Sequence, residues 1–393
     1  MNLKNNEPEK KAIAAIEICA DVIKVVVGYK LKEDALAIIF SKTFPLKIKN
    51  IDIFEKKEIL KNFLNILNIE DKSLKLKIKI KKAIIVLPSF NLNILEVSKK
   101  KSVSNLKKID FIDMENIISS IKKNEDEMAN EKIVDIILLN FQYDTGSSTQ
   151  FPINMISNTL EIRASLQLLP KTVVDNYDDL LKRVCNSCNF NYKYIVSSQA
   201  KTFLLGDGDF LCIDIKRYTT DVDLILGGKV IYSKTFALGT KQLIENLKFK
   251  FELDDKKAKE IISFFGFDKR VLTFDPVIYQ NFKNEEERFF KISDLNEIIK
   301  EYFDAYLFAL NNCLKEIFKD HEDKNYNFLI MESDFKIRGF FEFIKDSYEN
   351  RNVKKINLKI IGLRDERYLA CAGAILSTTK KYNYNNLIEL ERF

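Results

Sequence analysis

LCIDIKRYTTDVDLI, residues 211–225, runs apolar up to Asp214, turns, and alternates from Thr219-Thr220-Asp221 towards Gly227-Gly228. A short apolar run and a period of two on the two sides of a polar break predict a β-hairpin. The layout is that of a hairpin that grips phosphate. Its turn is usually Gly-Gly-Gly, because only a backbone without Cβ atoms sets several N–H groups against phosphate oxygens. Here the turn reads Lys216-Arg217-Tyr218. The stretch therefore predicts a nucleotide-binding fold by layout and a weakened or lost nucleotide site by chemistry.

Working outward, a third strand over 230–236 and a helix over 241–249, entered through Gly239-Thr240, complete a three-strand and helix pattern. The same pattern opens the chain. Strands are predicted over 13–18, 23–29 and 35–41, and a helix over 55–67 with Ile59, Leu60, Phe63, Ile66 and Leu67 at spacings of three and four. The Lys/Leu/Ile alternation over 74–80 reads as a solvated edge that feeds an apolar strand over 83–87. Two modules interrupt the halves. Residues 90–163 hold a strand over 94–97, a helix over 114–122, a charged loop over 124–132, a strand over 133–143 and a Gly-Ser-Ser-Thr turn at 146–149. Another strand over 159–168 and a helix over 171–186 follow. Residues 251–325 open with a helix over 254–265 and close with a long helix over 295–318. The expected division is a first lobe core of 1–89 and 164–205 with 90–163 inserted. A second lobe core of 206–250 and 326–376 carries the module 251–325, and 377–393 is a tail.

Composition narrows the class. A chain of 393 residues, 46% hydrophobic, buries a large core and favours two lobes over one domain. Lys+Arg 63 against Asp+Glu 57 leaves +6, too small an excess over so large a surface to imply nucleic acid. The N-terminal MNLKNNEPEKK leads into no cleavable apolar segment and no run is apolar enough to span a bilayer, so a cytoplasmic setting is expected. Six scattered cysteines suit reduced thiols. Cys185-x-x-Cys188 lacks a second pair, and the single histidine, His321, is distant in sequence, so no metal site is expected and the pair is read as structural.

A duplicated lobe of three strands and a crossing helix, a ribonuclease H-like core, is how actin and the sugar kinases are built. Taken in order, the segments resemble FtsA, the actin-like bacterial protein that ties the tubulin-like FtsZ ring to the membrane. The strings that carry this are AIEICADVIKVVVG (15–28), IDIKRYTTDVDLILGGKVIYSKTFALGTKQL (213–243), KKAKEIISFFG (256–266) and RYLACAGAIL (367–376). They match in frame more than in identity. FtsA carries its extra subdomain inside the first lobe, as 90–163 is placed here. The resemblance implies an α/β, actin-like two-lobed ATPase fold with nucleotide between the lobes.

It also implies site positions, and the departures fall on them. The first phosphate loop, Asp-Ile-Gly-Thr or -Ser in the family, matches Glu17-Ile18-Cys19-Ala20-Asp21. Cys19 adds a side chain where backbone should meet phosphate, Ala20 has no hydroxyl, and Asp21 adds negative charge beside a polyanion. A like charge at ~4 Å costs about 4 kcal/mol at an effective dielectric near 20. In the second loop Asp214, Thr219, Thr220 and Asp221 persist around Lys216 and Arg217, which either fill the turn or bind phosphate as cations. Gly239 precedes the helix. The family's Ala-Glu-x-x-Lys helix becomes Ala258-Lys259-Glu260-Ile261-Ile262, so Lys259 and Ile262 stand at the ribose and adenine positions. The adenosine turn becomes Glu332-Ser333-Asp334-Phe335 with Gly339 retained, and Ser197 stands where relatives carry an acidic residue.

The expected function is a cell-division scaffold that binds FtsZ, self-associates and binds ATP weakly or not at all. No catalytic residue or cofactor is expected, with ATP and magnesium bound only if the site is retained. Three alternatives stand: an ATP-dependent polymerising ATPase of cell division, a pilus-assembly type of actin-like adaptor, and a sugar or acid kinase, which would need an intact glycine loop and a catalytic base that the sequence does not show. Partner contact is expected on the long helix at Tyr302, Tyr306 and Phe308, whose aromatic surplus exceeds one buried face. In the family a terminal amphipathic helix meets the membrane at the division site, and Leu387, Ile388 and Phe393 are the matching apolar residues of the tail.

Overall fold

The computed structural model describes residues 12–19, 21–30, 36–45, 70–71, 76–77, 80, 82–103, 108–123, 130–188, 191–267, 274–283, 286–356, 360–363 and 365–378. The helix expected over 55–67, most of the charged loop over 124–132, Ala20, and the tail with Leu387, Ile388 and Phe393 lie outside the described residues. The chain divides into two compact units, Met1–Gly206 with Lys359–Phe393, and Asp207–Leu358.

The first unit is built on strands β1 (Ile13–Ile18), β2 (Val22–Lys30) and β3 (Leu36–Pro45), a small pair β4 (Glu70–Asp71) and β5 (Leu76–Lys77), and β6 (Lys82–Leu87). The inserted module supplies β7 (Asn93–Ser102), the helix Phe111–Lys122, β8 (Glu131–Tyr143), β9 (Gly146–Ser148) and β10 (Thr159–Pro170). The helix Lys171–Cys188, β11 (Asn191–Val196) and the helix Ser197–Leu205 return to the core. Cys185 and Cys188 fall in the last turn of the first of these helices.

The core sheet runs β11-β6-β1-β2-β3, antiparallel through the two hairpins and parallel across β1, β6 and β11. Both faces are buried. Ala14, Ile16, Val25 and Ile85 point to one cluster, while Ala15, Val26, Ile84 and Val86 point to another. Two-sided burial is why 13–18 and 83–87 read as nearly continuous apolar runs. The second cluster is filled by the helix Leu369–Ser377, with Ala370, Cys371, Ala372 and Ala374. That segment was expected in the second lobe core; it packs instead against the first unit's sheet.

The inserted module is a sheet of order β7-β10-β8-β9. One face, with Leu160, Ile162, Ala164 and Leu166, buries Met114, Ile117, Ile118 and Ile121 of the helix Phe111–Lys122. Asp110 caps that helix, its carboxylate accepting from the Asp113 N–H at 2.8 Å while Asp113 accepts from Asp110 N–H.

The second unit repeats the first. Its sheet runs β14-β13-β12-β17-β18, from β12 (Phe210–Ile215), β13 (Thr220–Leu226), β14 (Lys229–Phe236), β17 (Asn327–Glu332) and β18 (Val353–Lys355). Two antiparallel hairpin pairings and two parallel pairings recur in the same order. The helices Thr240–Phe251, Asp255–Phe264, Ile292–Asp320 and Phe340–Ser347 pack on the face formed by Leu211, Ile213, Val222 and Leu224. A hairpin of β15 (Val277–Lys283) and β16 (Glu286–Lys291), not read from the sequence, seats Phe290 on Phe251. No described helix is long and apolar enough to cross a membrane.

Candidate functional site

In the first unit the site positions gather at the β1–β2 turn. Cys19 N–H donates to Val22 O at 2.9 Å and closes the turn, with Asp21 half-buried at its tip. Register then sets Glu17 opposite Lys24. The Lys24 ammonium lies 3.2 Å from the Glu17 carboxylate, both side chains nearly buried. Burial opposes a charge on Lys24, but the Glu17 carboxylate outweighs it, and the amine is held well above its ordinary range. The Ser197 hydroxyl reaches the same carboxylate at 3.5 Å, and Tyr177 donates to Ile18 O at 3.0 Å. Sequence reading left Glu17 without a named partner; a tight turn over 19–22 fixes which β2 residue faces it, and that was the available signal.

In the second unit Lys216 N–H donates to Thr219 O, closing the Lys216-Arg217-Tyr218 turn. The carbonyls of Lys216 and Arg217 accept the N–H groups of Thr240 and Lys241, the first amides of the helix Thr240–Phe251. Gly239 is required by this approach, since a Cβ there would overlap both carbonyls. Its own carbonyl accepts the Tyr302 hydroxyl at 3.0 Å.

The side chains of the turn are engaged as well. Lys216 Nζ lies 2.5 Å from the buried Asp221, whose other oxygen accepts from Thr235 at 2.8 Å. Asp214 is buried on β12, directly opposite Asp221. Arg217 reaches Asp255 at 3.6 Å, where Lys248 and Lys259 also converge at 2.8 and 3.7 Å. The hydrogen bond from Lys248 leads the causes that hold the Asp255 carboxyl below the usual range. The Lys241 ammonium sits 4.8 Å from the Tyr218 ring centre. Thr220, fully buried, donates to Leu238 O at 2.7 Å.

The stretch Glu332 to Phe335, expected at the adenosine position, is likewise held by bonds within the unit. Glu332 accepts the Ile337 N–H at 2.7 Å, and Asp334 accepts the Thr240 hydroxyl at 2.6 Å. Gly339, in the left-handed region at φ 89°, lets Arg338 O take the Phe267 N–H; a Cβ at 339 would overlap the Phe267 carbonyl. Ile262 is a core residue of the second unit. The structure thus brings Asp214, Lys216, Arg217, Thr219, Thr220, Asp221, Gly239 and Lys259 around one turn, with Gly339 in a separate loop contact. Asp334, read from the sequence in the adenosine turn, joins this cluster through Thr240; Asp255 and Lys241 also belong to it and were missed, because they are neighbours only across helix termini.

The expected docking face of the long helix is corrected. Tyr302 and Tyr306 are 2% and 0% exposed, packed among Phe303, Phe340 and Phe236, and only Phe308, 71% exposed, faces outward. The aromatic surplus fills the core along one stripe of the helix, from Leu295 to Ile317, while Lys300, Asp304, Phe308 and Asn311 on the opposite face are exposed.

No protein-family model matches the chain, and no curated protein matches it in sequence. Solved structures do. The "PilM-PilN type IV pilus biogenesis complex" superposes with a TM-score of 0.59 at 13% identity, covering 94% of this chain and 98% of that one. MreB5 of Spiroplasma citri bound to AMPPNP superposes with a TM-score of 0.52 at 12% identity, covering 98% and 100%. The chain has the actin-like ATPase fold.

Proposed function

We propose that this chain is an actin-like scaffold that works by binding proteins and does not turn over ATP. One observation carries the reading. In the second unit the groups best suited to hold phosphate, the Lys216 and Arg217 cations and the first amides of the helix Thr240–Phe251, are engaged within the unit itself. A triphosphate would have to displace the Lys216–Asp221 pair and leave a buried carboxylate behind, which opposes binding. In the first unit, Lys24 neutralises Glu17 in the same manner.

The finer reading, on the motif frames quoted above, is an FtsA-like cell-division adaptor that links FtsZ filaments to the cytoplasmic face of the membrane. A second reading, an adaptor of pilus assembly, is favoured by the full-length likeness to the PilM-PilN complex. Calorimetric titration with ATP and magnesium, paired with co-sedimentation against FtsZ polymers, tests the proposal. No heat of binding together with co-sedimentation supports the FtsA-like form. No heat without co-sedimentation leaves the scaffold and moves the partner towards pilus assembly. Micromolar ATP binding with turnover refutes it.

A further inference from the structure

The inserted module carries an open flank. Strand β7 lies at the edge of its sheet and pairs on one side with β10 over its whole length, Asn93↔Leu168 to Ser102↔Thr159. Among the described residues no strand lies along its other side. Along these ten residues every second one turns its backbone N–H and C=O to the open side, a template for another strand. Lys99, Lys100 and Lys101 guard it against indiscriminate pairing, as edge lysines do. The charges nevertheless fit one partner.

We propose that the outer edge of β7 pairs antiparallel with the same edge of a second copy of this chain, about a two-fold axis at Ser98. An axis normal to the sheet keeps each face on its own side, so facing residues share parity. With the axis at Ser98, Glu96 meets Lys100 of the second copy, and Lys100 meets its Glu96. The same register sets Val97 against Lys99, and the exposed Leu95 against the stem of Lys101. An axis at Glu96, Lys99 or Lys100 sets like charges against themselves, and one at Val97 sets no opposite charges at all. Only the Ser98 register among these is complementary.

The strand is already ordered for this contact. Glu96 is held by Arg163, and the Ser98 hydroxyl donates to Glu161 at 2.5 Å. Lys100 faces Glu161 across the β7–β10 pair. Across the seam each Lys100 then stands between Glu161 of its own copy and Glu96 of the other. The resulting eight-stranded sheet leaves no long free edge at β7. The inference rests on this strand alone, independent of the reading of the nucleotide positions.

Sedimentation velocity of the full chain over a dilution series tests it, with Glu96→Lys, Lys100→Glu and the double exchange. Each single variant is expected to weaken self-association roughly tenfold or more, and the double exchange to restore it to within about threefold. Equal melting temperatures serve as the folding control. Ser98→Cys is expected to form a covalent dimer under mild oxidation, and Ser102→Cys, which faces Ile94, is not. A wild-type chain that stays monomeric overturns the proposal. So does association that all three charge variants keep unchanged, or crosslinking that is equal at 98 and 102.

Discussion

Gly373 in the C-terminal helix lies so close to Ala200 in the helix Ser197–Leu205 that a Cβ on the glycine would overlap the Ala200 carbonyl oxygen. The two helices meet backbone to backbone, with Ala370 and Ala374 on the same seam, and both belong to the first unit. Neither partner in the overlap is the flexible end of a side chain, so relief requires a shift of a whole helix.

Gly373→Ala is therefore expected to destabilise the chain by about 2–3 kcal/mol, against a helix-propensity gain of under ~1 kcal/mol. Gly208→Ala is the control, since its Cβ would meet only the ring of Phe210. Denaturant unfolding of both variants checks the ordering.

Removing one member of the Glu17–Lys24 pair leaves the other charge nearly buried. Lys24→Met is expected to cost about 3–5 kcal/mol, and adding Glu17→Leu to recover much of that loss. Urea midpoints for the single and double variants measure the coupling. If the double variant is no better than the single, the pair is not the source of the cost.

Lys216→Met leaves Asp221, almost wholly buried, with the Thr235 hydroxyl as its described partner. A loss of about 2–4 kcal/mol at neutral pH is expected. Adding Asp221→Asn to Lys216→Met is expected to recover much of it, since no buried charge is then left unpaired. The test is denaturant unfolding of wild type, single and double variant at pH 7.

Asp178 supplies a pH dependence with a defined sign. Burial alone would raise its pKa, but hydrogen bonds from Lys132 and Tyr194 and the charges of Lys132 and Lys182 hold it below the ordinary 3.8. A carboxyl depressed in the folded state contributes stability that is complete above its unfolded value and lost as pH falls through the folded one. Wild type should lose stability below about pH 4 more steeply than Asp178→Asn. The two curves converge in acid and part at neutral pH, read by thermal melting between pH 2 and 7.

The duplication was legible because both sheets announce themselves locally. Hairpin strands of 6 to 10 residues with polar turns appear at the start of each unit, and two-sided burial writes 83–87 as an apolar run. The partner of Glu17 was hidden because residue identity gives a face, while pairing needs the length of the turn. Tyr302 and Tyr306 were misplaced because they lie on the one buried stripe, with Leu295, Phe303 and Leu310, and an aromatic excess alone does not tell a core stripe from a docking stripe. The hairpin Val277–Lys291 was missed because charged residues interleave its aromatics and blur the alternation. Asp255 became visible as the meeting point of Arg217, Lys248 and Lys259 only once the helices that carry them were placed.

The helix Leu369–Ser377 closes one face of a sheet whose strands were all made before residue 197. During synthesis that face, with Ala15, Val26, Ile84 and Val86, has to wait while the ribosome makes the entire second unit. At about 5–20 residues per second the delay is on the order of ten to thirty seconds. Through that interval the helix Ser197–Leu205 covers part of this face, with Ala200, Phe203 and Leu204, and the share that Ala370, Cys371 and Ala374 later bury stays open. It is the stage at which a holdase chaperone would find this chain.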